Sequence, residues 1–340
     1  MGVVVKDNWE RSYPFVRLDL PTLTELAQPL WPGRAVVHAD LLTAGLANTN
    51  YKVMVSGYDT PFVIRVYTRD SAACRKEVDI YNLIHDRVPL PDILYADVDG
   101  RRYERPYAIT SWVDGVMLDR ALAHGSAEDV ASVAHATGAV LATIGSYTFA
   151  RAGFFGPHLA VDHPLGDADT SWLPYIRDRL FQGPAEGRLG VALRDHLWNM
   201  VTQGASAVRT VNDARSLVHA DYNGSNIIVR REGESWVVGA ALDWEFAFAG
   251  SPLHDVGNML RGADTLPPAF EAAFIRGFED GGGGLPRDWK NIAALLDLVN
   301  LCEFLNAPDP RGTRVADVVR LIRTTVERWE ANGRKVLVEL

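Results

Sequence analysis

Three polar side chains stand at the ends of apolar strands between Leu217 and Glu245. His219-Ala220-Asp221 follows Leu217-Val218, Asn226 comes five residues after Asp221 and leads into Ile227-Ile228-Val229, and Asp243 closes the run ending at Leu242. A carboxylate and an amide at this spacing, on a loop containing Gly224, can point into one cavity when the chain turns back. Asp243, seventeen residues beyond Asn226, brings a second carboxylate to a strand end. Asn and Asp oxygens suit a hard cation such as magnesium, and Asp221 can accept a proton from a hydroxyl. A lone Asp-x4-Asn would only shape a loop through side-chain-to-backbone hydrogen bonds. The third polar residue, again at a strand end, favours chemistry.

The surrounding pattern supplies elements to hold these groups. A short helix over residues 20–30 stops at Trp31-Pro32-Gly33, and strands are expected at 35–39, 51–55 and 61–67, from apolar alternation and the Gly57-Tyr58-Asp59 turn. A helix fits 72–86, and residues 102–112 read as a hairpin arm. After Asp114-Gly115 the pattern turns helical. Ser126 and Asp129 make a capping start for a helix through Ile144, and further helices fit 171–181, 191–210, 266–279, 287–306 and 311–332. A β island covers 216–221, 226–231 and 236–243. The expected class is α+β with two lobes: residues 1–112, β-rich, and residues 113–340, larger and mainly helical.

Composition narrows the function. Of 340 residues 47% are apolar and 23% charged, as in globular chains. Cys74 and Cys302 are the only cysteines, too few for a disulfide scaffold and consistent with a reducing, cytoplasmic setting. The start, Met1 to Asp7, meets acid too early for a secretory leader. The apolar stretch Val130–Ala150 carries His135 and helix-type striping, so a buried helix is expected and no membrane span. A net charge of −9 argues against coating nucleic acid. Residues 1–112 carry net −1 and residues 113–340 net −8, so the second lobe could draw in a cationic ligand.

His219-x-Asp221-x4-Asn226 followed by Asp243-Trp244-Glu245 resembles the catalytic and metal motifs of aminoglycoside phosphotransferases and choline-kinase-like enzymes, which share the protein-kinase bilobal fold. Thr43–Tyr51 is similar to that family's nucleotide loop, Phe62–Val66 to its phosphate-contacting strand, Arg75-Lys76-Glu77 to its partner helix, Tyr107–Gly115 to its adenine hinge, and Gly250–Val256 to the segment after the metal aspartate. The resemblance implies a role for each position. Asp221 would be the catalytic base, and Asn226 and Asp243 would hold Mg2+. Gly45, Asn48, Asn50, Arg65, Glu77 and the hinge residues Ser111, Trp112 and Val113 would bind ATP or GTP. Arg65 stands where protein kinases use Lys, and its planar fork is not equivalent to an ammonium. Lys52 is the other cation in reach. Trp244 stands where protein kinases have Phe.

The implied reaction moves a γ-phosphate onto a hydroxyl of a small molecule, with neither nucleic acid nor membrane as partner. An aminoglycoside-like or other antibiotic, hence resistance, is the first expectation. Glu245, Asp255 and Glu303 are the candidate contacts to a cationic acceptor, and for Asp255 a second reading is that it braces the catalytic loop. A metabolite kinase acting on choline, ethanolamine, homoserine or a sugar, and a catalytically silent binding protein, remain open.

Overall fold

The computed structural model describes residues 9–11, 13–164, 172–262, 264–307 and 312–338. The N-terminal heptapeptide and positions 171 and 311, where two helices were expected to begin, lie outside them.

The first lobe begins with α1 (Leu20–Ala27), capped by Asp19, whose Oδ1 accepts from the Thr22 amide at 2.9 Å. It packs on an antiparallel sheet of β1 (Val36–Leu42), β2 (Thr49–Val55), β3 (Phe62–Val66), β4 (Ile93–Asp97) and β5 (Tyr107–Ser111), in the order β1-β2-β3-β5-β4. β2 buries Thr49, Tyr51, Val53 and Val55 and leaves Asn50, Lys52 and Met54 half-buried, the alternation of a strand with one face on the core. α2 (Ala72–Ile84), between β3 and β4 in sequence, buries Cys74, whose thiol lies 3.8 Å from the Tyr107 carbonyl of β5.

Two expectations shift here. β4 was not read as a strand, and the arm expected from Arg102 pairs only from Tyr107 onward. The cause is Asp97: its carboxylate accepts the Arg101 and Arg102 amides at 3.0 and 2.7 Å, so the chain turns there before entering β5.

The second lobe contains β6 (Val116–Met117), α3 (Leu118–His124), α4 (Ala127–Gly145), β7 (Gly153–Phe155), β8 (Val161–Pro164), α5 (Trp172–Phe181), α6 (Ala185–Leu189), α7 (Val191–Arg209), β9 (Ser216–Val218), β10 (Ile227–Glu232), β11 (Ser235–Ala241), β12 (Phe248–Gly250), α8 (Leu253–Met259), α9 (Phe270–Asp280), α10 (Trp289–Asn306) and α11 (Gly312–Val338). α4 carries the expected capping box, with Ser126 and Asp129 each accepting the other's amide at 3.1 Å. α4 and α9 touch through glycines: a Cβ on Gly138 would lie 2.0 Å from the Phe274 carbonyl, and one on Gly277 2.0 Å from that of His135. α9 starts at Phe270 rather than 266: Pro267 and Pro268 have no amide hydrogen to donate, and the Phe270 amide closes a turn on the Pro267 carbonyl at 2.9 Å before the helix begins.

The β island is split between two sheets. β10 pairs with β11 and β6, whereas β9 belongs to the sheet β8-β7-β12-β9. The loop from His219 to Asn226 therefore joins two sheets rather than turning a hairpin. Gly115, in the link after β5, is required: at φ +150°, a Cβ there would sit 2.6 Å from the Val229 carbonyl. α10 runs through the core and buries Cys302. The α+β arrangement, sheet-rich first and helical second, is as expected. No helix of the described residues is long and apolar enough to cross a membrane.

Candidate active site

The loop between β9 and β10 is fastened from three sides. Asp255, in the first turn of α8, is fully buried, and its two oxygens accept the His219 and Ala220 amides at 2.7 and 2.8 Å. That pair holds Ala220 at φ +67°, a left-handed conformation that costs a non-glycine residue on the order of 1 kcal/mol. His219 Nδ1 accepts the Asp221 amide at 3.2 Å and its Nε2 lies 2.8 Å from the Leu242 carbonyl, so both ring nitrogens are taken up by backbone. The hydroxyl of the buried Tyr222 donates to Thr137 of α4 at 2.8 Å. Asp255 is thus placed as the brace of the loop. As an acceptor contact it is corrected, since both carboxylate oxygens face backbone N–H groups.

The brace makes a titration prediction. Burial pushes Asp255 up to about 7, against the pull of the two amides. The folded value lies above the ordinary 3.8, so the stability linked to its protonation is complete below that value and is lost as pH rises through about 7. The stability deficit of Asp255→Asn relative to wild type is expected to narrow between about pH 5 and about pH 8. Denaturant midpoints at both ends measure it, and a constant deficit would mean that the carboxyl does not titrate in that window.

Within the loop, the Asp221 carboxylate is clasped by two amides. Asn223 Nδ2 donates to Oδ1 at 2.8 Å and Asn226 Nδ2 to Oδ2 at 2.7 Å. Asn226 also donates to the Asp221 carbonyl at 2.9 Å, which turns its amide nitrogen toward Asp221 and its oxygen away. Beneath, with the Asn258 amide in the orientation that satisfies both its oxygen and its nitrogen, it donates to the Tyr222 carbonyl at 3.1 Å and accepts from Arg261 Nη2 at 2.8 Å. Arg261 is itself paired with Asp297, Nε to Oδ2 at 2.7 Å. Asn223 and the Arg261–Asp297 pair were not read from the sequence. The Asp-x-Asn spacing could have revealed Asn223, but nothing local marks the ion pair.

Beside the end of the loop, where the Leu242 amide donates to the Asn226 carbonyl at 2.8 Å, Asp243 occupies a left-handed position just after β11, at φ +64°. Its carboxylate pairs with Arg65 Nη1, and Arg65 Nη2 reaches Glu77 Oε1 at 3.0 Å. Tyr67 donates to the other Glu77 oxygen at 2.6 Å. The Arg65 and Glu77 side chains are only 12% and 11% exposed, that of Asp243 37%. Burial alone would depress Arg65, but Asp243 and Glu77 outweigh it and hold the guanidinium above its ordinary value. Burial pushes Glu77 up to about 7, with Arg65 opposing. Lys52, the other cation considered, lies 4.0 Å over the Trp112 ring. Asn50 stands opposite Arg65 in the β2–β3 pairing, and Asn50 Oδ1 and Arg65 Nε are buried with no protein partner among the described residues. An acceptor and a donor left open on neighbouring strands suit a polar ligand.

Glu245 points to the β1–β2 loop: its Oε2 pairs with Arg69 at 3.3 Å and accepts from Asn48 Nδ2 at 3.3 Å, while Lys76 donates to its carbonyl at 2.9 Å. Burial raises its carboxyl, and Arg69 opposes. Asn48 also accepts the Thr68 amide at 3.1 Å, and Gly45 lies in the same loop. At the end of β5, Ser111 exchanges hydrogen bonds with Asp92, its Oγ accepting at 2.8 Å and its amide donating at 2.9 Å, and Trp112 donates to Asp114 at 2.9 Å. Val113 packs 3.4 Å from where a Cβ on Gly239 of β11 would be. Glu303, 46% exposed on α10, accepts from Arg179 of α5 at 3.0 Å.

The donors fit magnesium by their chemistry. Asp243 and Asn226 offer oxygens, and Mg2+ uses one or two such ligands with phosphates and water rather than a protein cage. Among the described residues no group of three or more His, Cys, Asp or Glu converges as such a cage.

Residues 38–295 match the family model described as the phosphotransferase enzyme family. The chain is similar to the crystal structure of aminoglycoside phosphotransferase APH(4)-Ia at 18% identity, over 91% of this chain and 99% of that one, with TM-score 0.67. It is similar to a thermostable mutant of that enzyme in ternary complex with ADP and hygromycin B (20% identity, 90% and 98% covered, TM-score 0.64). The streptomycin–ATP ternary complex of APH(2")-IIa is also similar (14% identity, 93% and 99% covered, TM-score 0.63). At these identities the likeness shows a shared kinase-like fold. None of the curated proteins compared with the chain matches it.

Proposed function

Because this chain belongs to the phosphotransferase enzyme family, we propose that it transfers the γ-phosphate of ATP or GTP to a hydroxyl of a small molecule, an aminoglycoside-like antibiotic first among the candidates. The observation that carries the reading is a pair of clasps at one junction, where the Leu242 amide donates to the Asn226 carbonyl at 2.8 Å: Asp221 between two amides, and Arg65 between Asp243 and Glu77. Asp221 orients the acceptor hydroxyl and takes its proton as the oxygen–phosphorus bond forms and the bond from the γ-phosphorus to the bridging oxygen breaks, releasing the nucleoside diphosphate. Arg65 and the β1–β2 loop grip the phosphates, and the hinge at 111–113 receives the base. Asn226 and Asp243 would hold Mg2+, which when bound neutralises phosphate charge.

The acceptor class is supported by the net −8 carried by residues 113–340, by the half-exposed Glu303, and by the aminoglycosides in the similar complexes. The test is a panel of aminoglycosides, choline, ethanolamine, homoserine and sugars with ATP or GTP and magnesium, read by mass gain of one phosphate. For a polycationic acceptor the Michaelis constant is expected to rise with salt, as the Debye length falls from ~30 Å at ~0.01 M to ~8 Å at ~0.15 M. Glu303→Gln should raise that constant about two- to fivefold with kcat nearly unchanged, as a rim charge does. An acceptor indifferent to both would be neutral.

A further inference from the structure

The segment ahead of α1 is fastened at both ends, to different lobes. Trp9 is 6% exposed and packs in the second-lobe core, edge-on to Phe304 of α10 at 5.1 Å, with its indole N–H donating to Asp317 of α11 at 3.0 Å. Thr313 donates to Glu10 at 2.9 Å. Immediately after, Arg11 spreads its guanidinium into the β1–β2 loop: Nη1 donates to the Gly45 carbonyl, and Nη2 to those of Ala47 and, at 2.8 Å, Asn48. Its flat face lies 3.8 Å over Phe15. Farther on, the Val16 amide donates to Thr49 Oγ1 at 3.1 Å and the Leu18 amide to the Tyr51 hydroxyl at 2.9 Å. The lobes are thus joined a second time, away from the link at 112–115.

The three carbonyls have a consequence for the same loop's donors. A planar trans peptide points its N–H opposite to its C=O. With the carbonyls of Gly45 and Ala47 turned onto Arg11, the amides of Leu46 and Asn48 face the other way, and no hydrogen bond among the described residues uses either N–H. Amides presented together by a loop form an anion-binding concavity.

We infer that Arg11 is a positioning residue for the nucleotide: it fixes the β1–β2 loop with its amides set toward the phosphates, from a backbone anchored by Trp9 beside the acceptor-side helix α10. This rests on the nucleotide-binding reading of the site. A guanidinium can span three carbonyls in one plane, which an ammonium cannot.

The test is AMP-PNP binding with magnesium by calorimetry, with steady-state kinetics alongside. Arg11→Met keeps the stem over Phe15 and removes the donors. It is expected to weaken AMP-PNP about tenfold and to raise the nucleotide Michaelis constant by a similar factor, with kcat changed less than twofold. Arg11→Lys should recover part of the loss. Trp9→Phe, which keeps an aromatic ring against Phe304 but loses the bond to Asp317 and part of the packing, should weaken AMP-PNP by about two- to threefold although it lies on the other lobe. Wild type that binds AMP-PNP, with Arg11→Met and Arg11→Lys within twofold of it, overturns the inference alone. Wild type that does not bind AMP-PNP overturns the nucleotide reading and the inference with it. A loss confined to kcat, with binding intact, also overturns the positioning role.

Discussion

Asp221→Asn is expected to lower kcat about a thousandfold while leaving AMP-PNP affinity within about twofold. The substitution keeps size and shape, so binding on the Arg65 side of the cleft is preserved. It removes the oxygen proposed to take the hydroxyl proton. The clasp sharpens the expectation. Both Asp221 oxygens accept from amide nitrogens, Asn223 on one side and Asn226 on the other. An asparagine must turn its own NH2 toward one of them, which leaves two donors facing each other. A stability loss of about 1–2 kcal/mol is therefore expected beside the kinetic one. Single-turnover kinetics with saturating nucleotide and a denaturant midpoint separate the two effects. Turnover within tenfold of wild type would remove Asp221 from the chemistry.

Arg65→Met should be the most damaging single change to the fold of the site. Arg65 is the cation between Glu77 and Asp243, and breaking a buried pair by removing one partner costs ~3–5 kcal/mol because the remaining charge stays desolvated. The lower end, about 3 kcal/mol, is expected here, because the Asp243 carboxylate keeps some access to water. Arg65→Lys should recover part of the stability but not the two-sided grip, since one ammonium cannot hold both carboxylates in the geometry of a fork. The decisive comparison is Arg65→Met with and without Glu77→Gln. If the cost comes from an uncompensated carboxylate, the second substitution is expected to restore more than 1 kcal/mol. Independent, additive losses would show that the three residues are merely neighbours.

The sequence disclosed the part of the site that is local. Asp221, Asn226 and Asp243 lie within a short stretch where strands end, so the clasp of Asn226 on Asp221 and the backbone bond from Leu242 to Asn226 follow from the chain turning. The Arg65–Glu77 pair was legible because β3 and α2 are consecutive. The partner of Glu245 was not legible because Asn48 is 197 residues away, and an acid at this position looks the same whether it faces an acceptor or the other lobe. Asp255 carried two readings that only its hydrogen bonds distinguish. In the fold, α4, α7 and α10 begin and end within about two residues of their expected bounds, whereas α11 runs on to Val338, past the expected 332. β6, β7 and β12 span two or three residues each, too few for alternation to show. Arg11 had no signal at all: what it binds is backbone carbonyl, which every residue possesses.

The two buried cysteines have a practical consequence. Cys74 is sealed between α2 and β5 and Cys302 inside α10, one in each lobe, and burial pushes both thiols up to about 12. Only a thiolate reacts with an alkylating reagent, so neither sulfur can be labelled until its own surroundings open. The chain thus carries a native reporter in each half. The labelling rate of Cys74 counts openings of the five-stranded sheet, and that of Cys302 counts openings of the helical core. Mass spectrometry of two peptides would then say whether the halves breathe together or one at a time, a distinction that global unfolding curves average away.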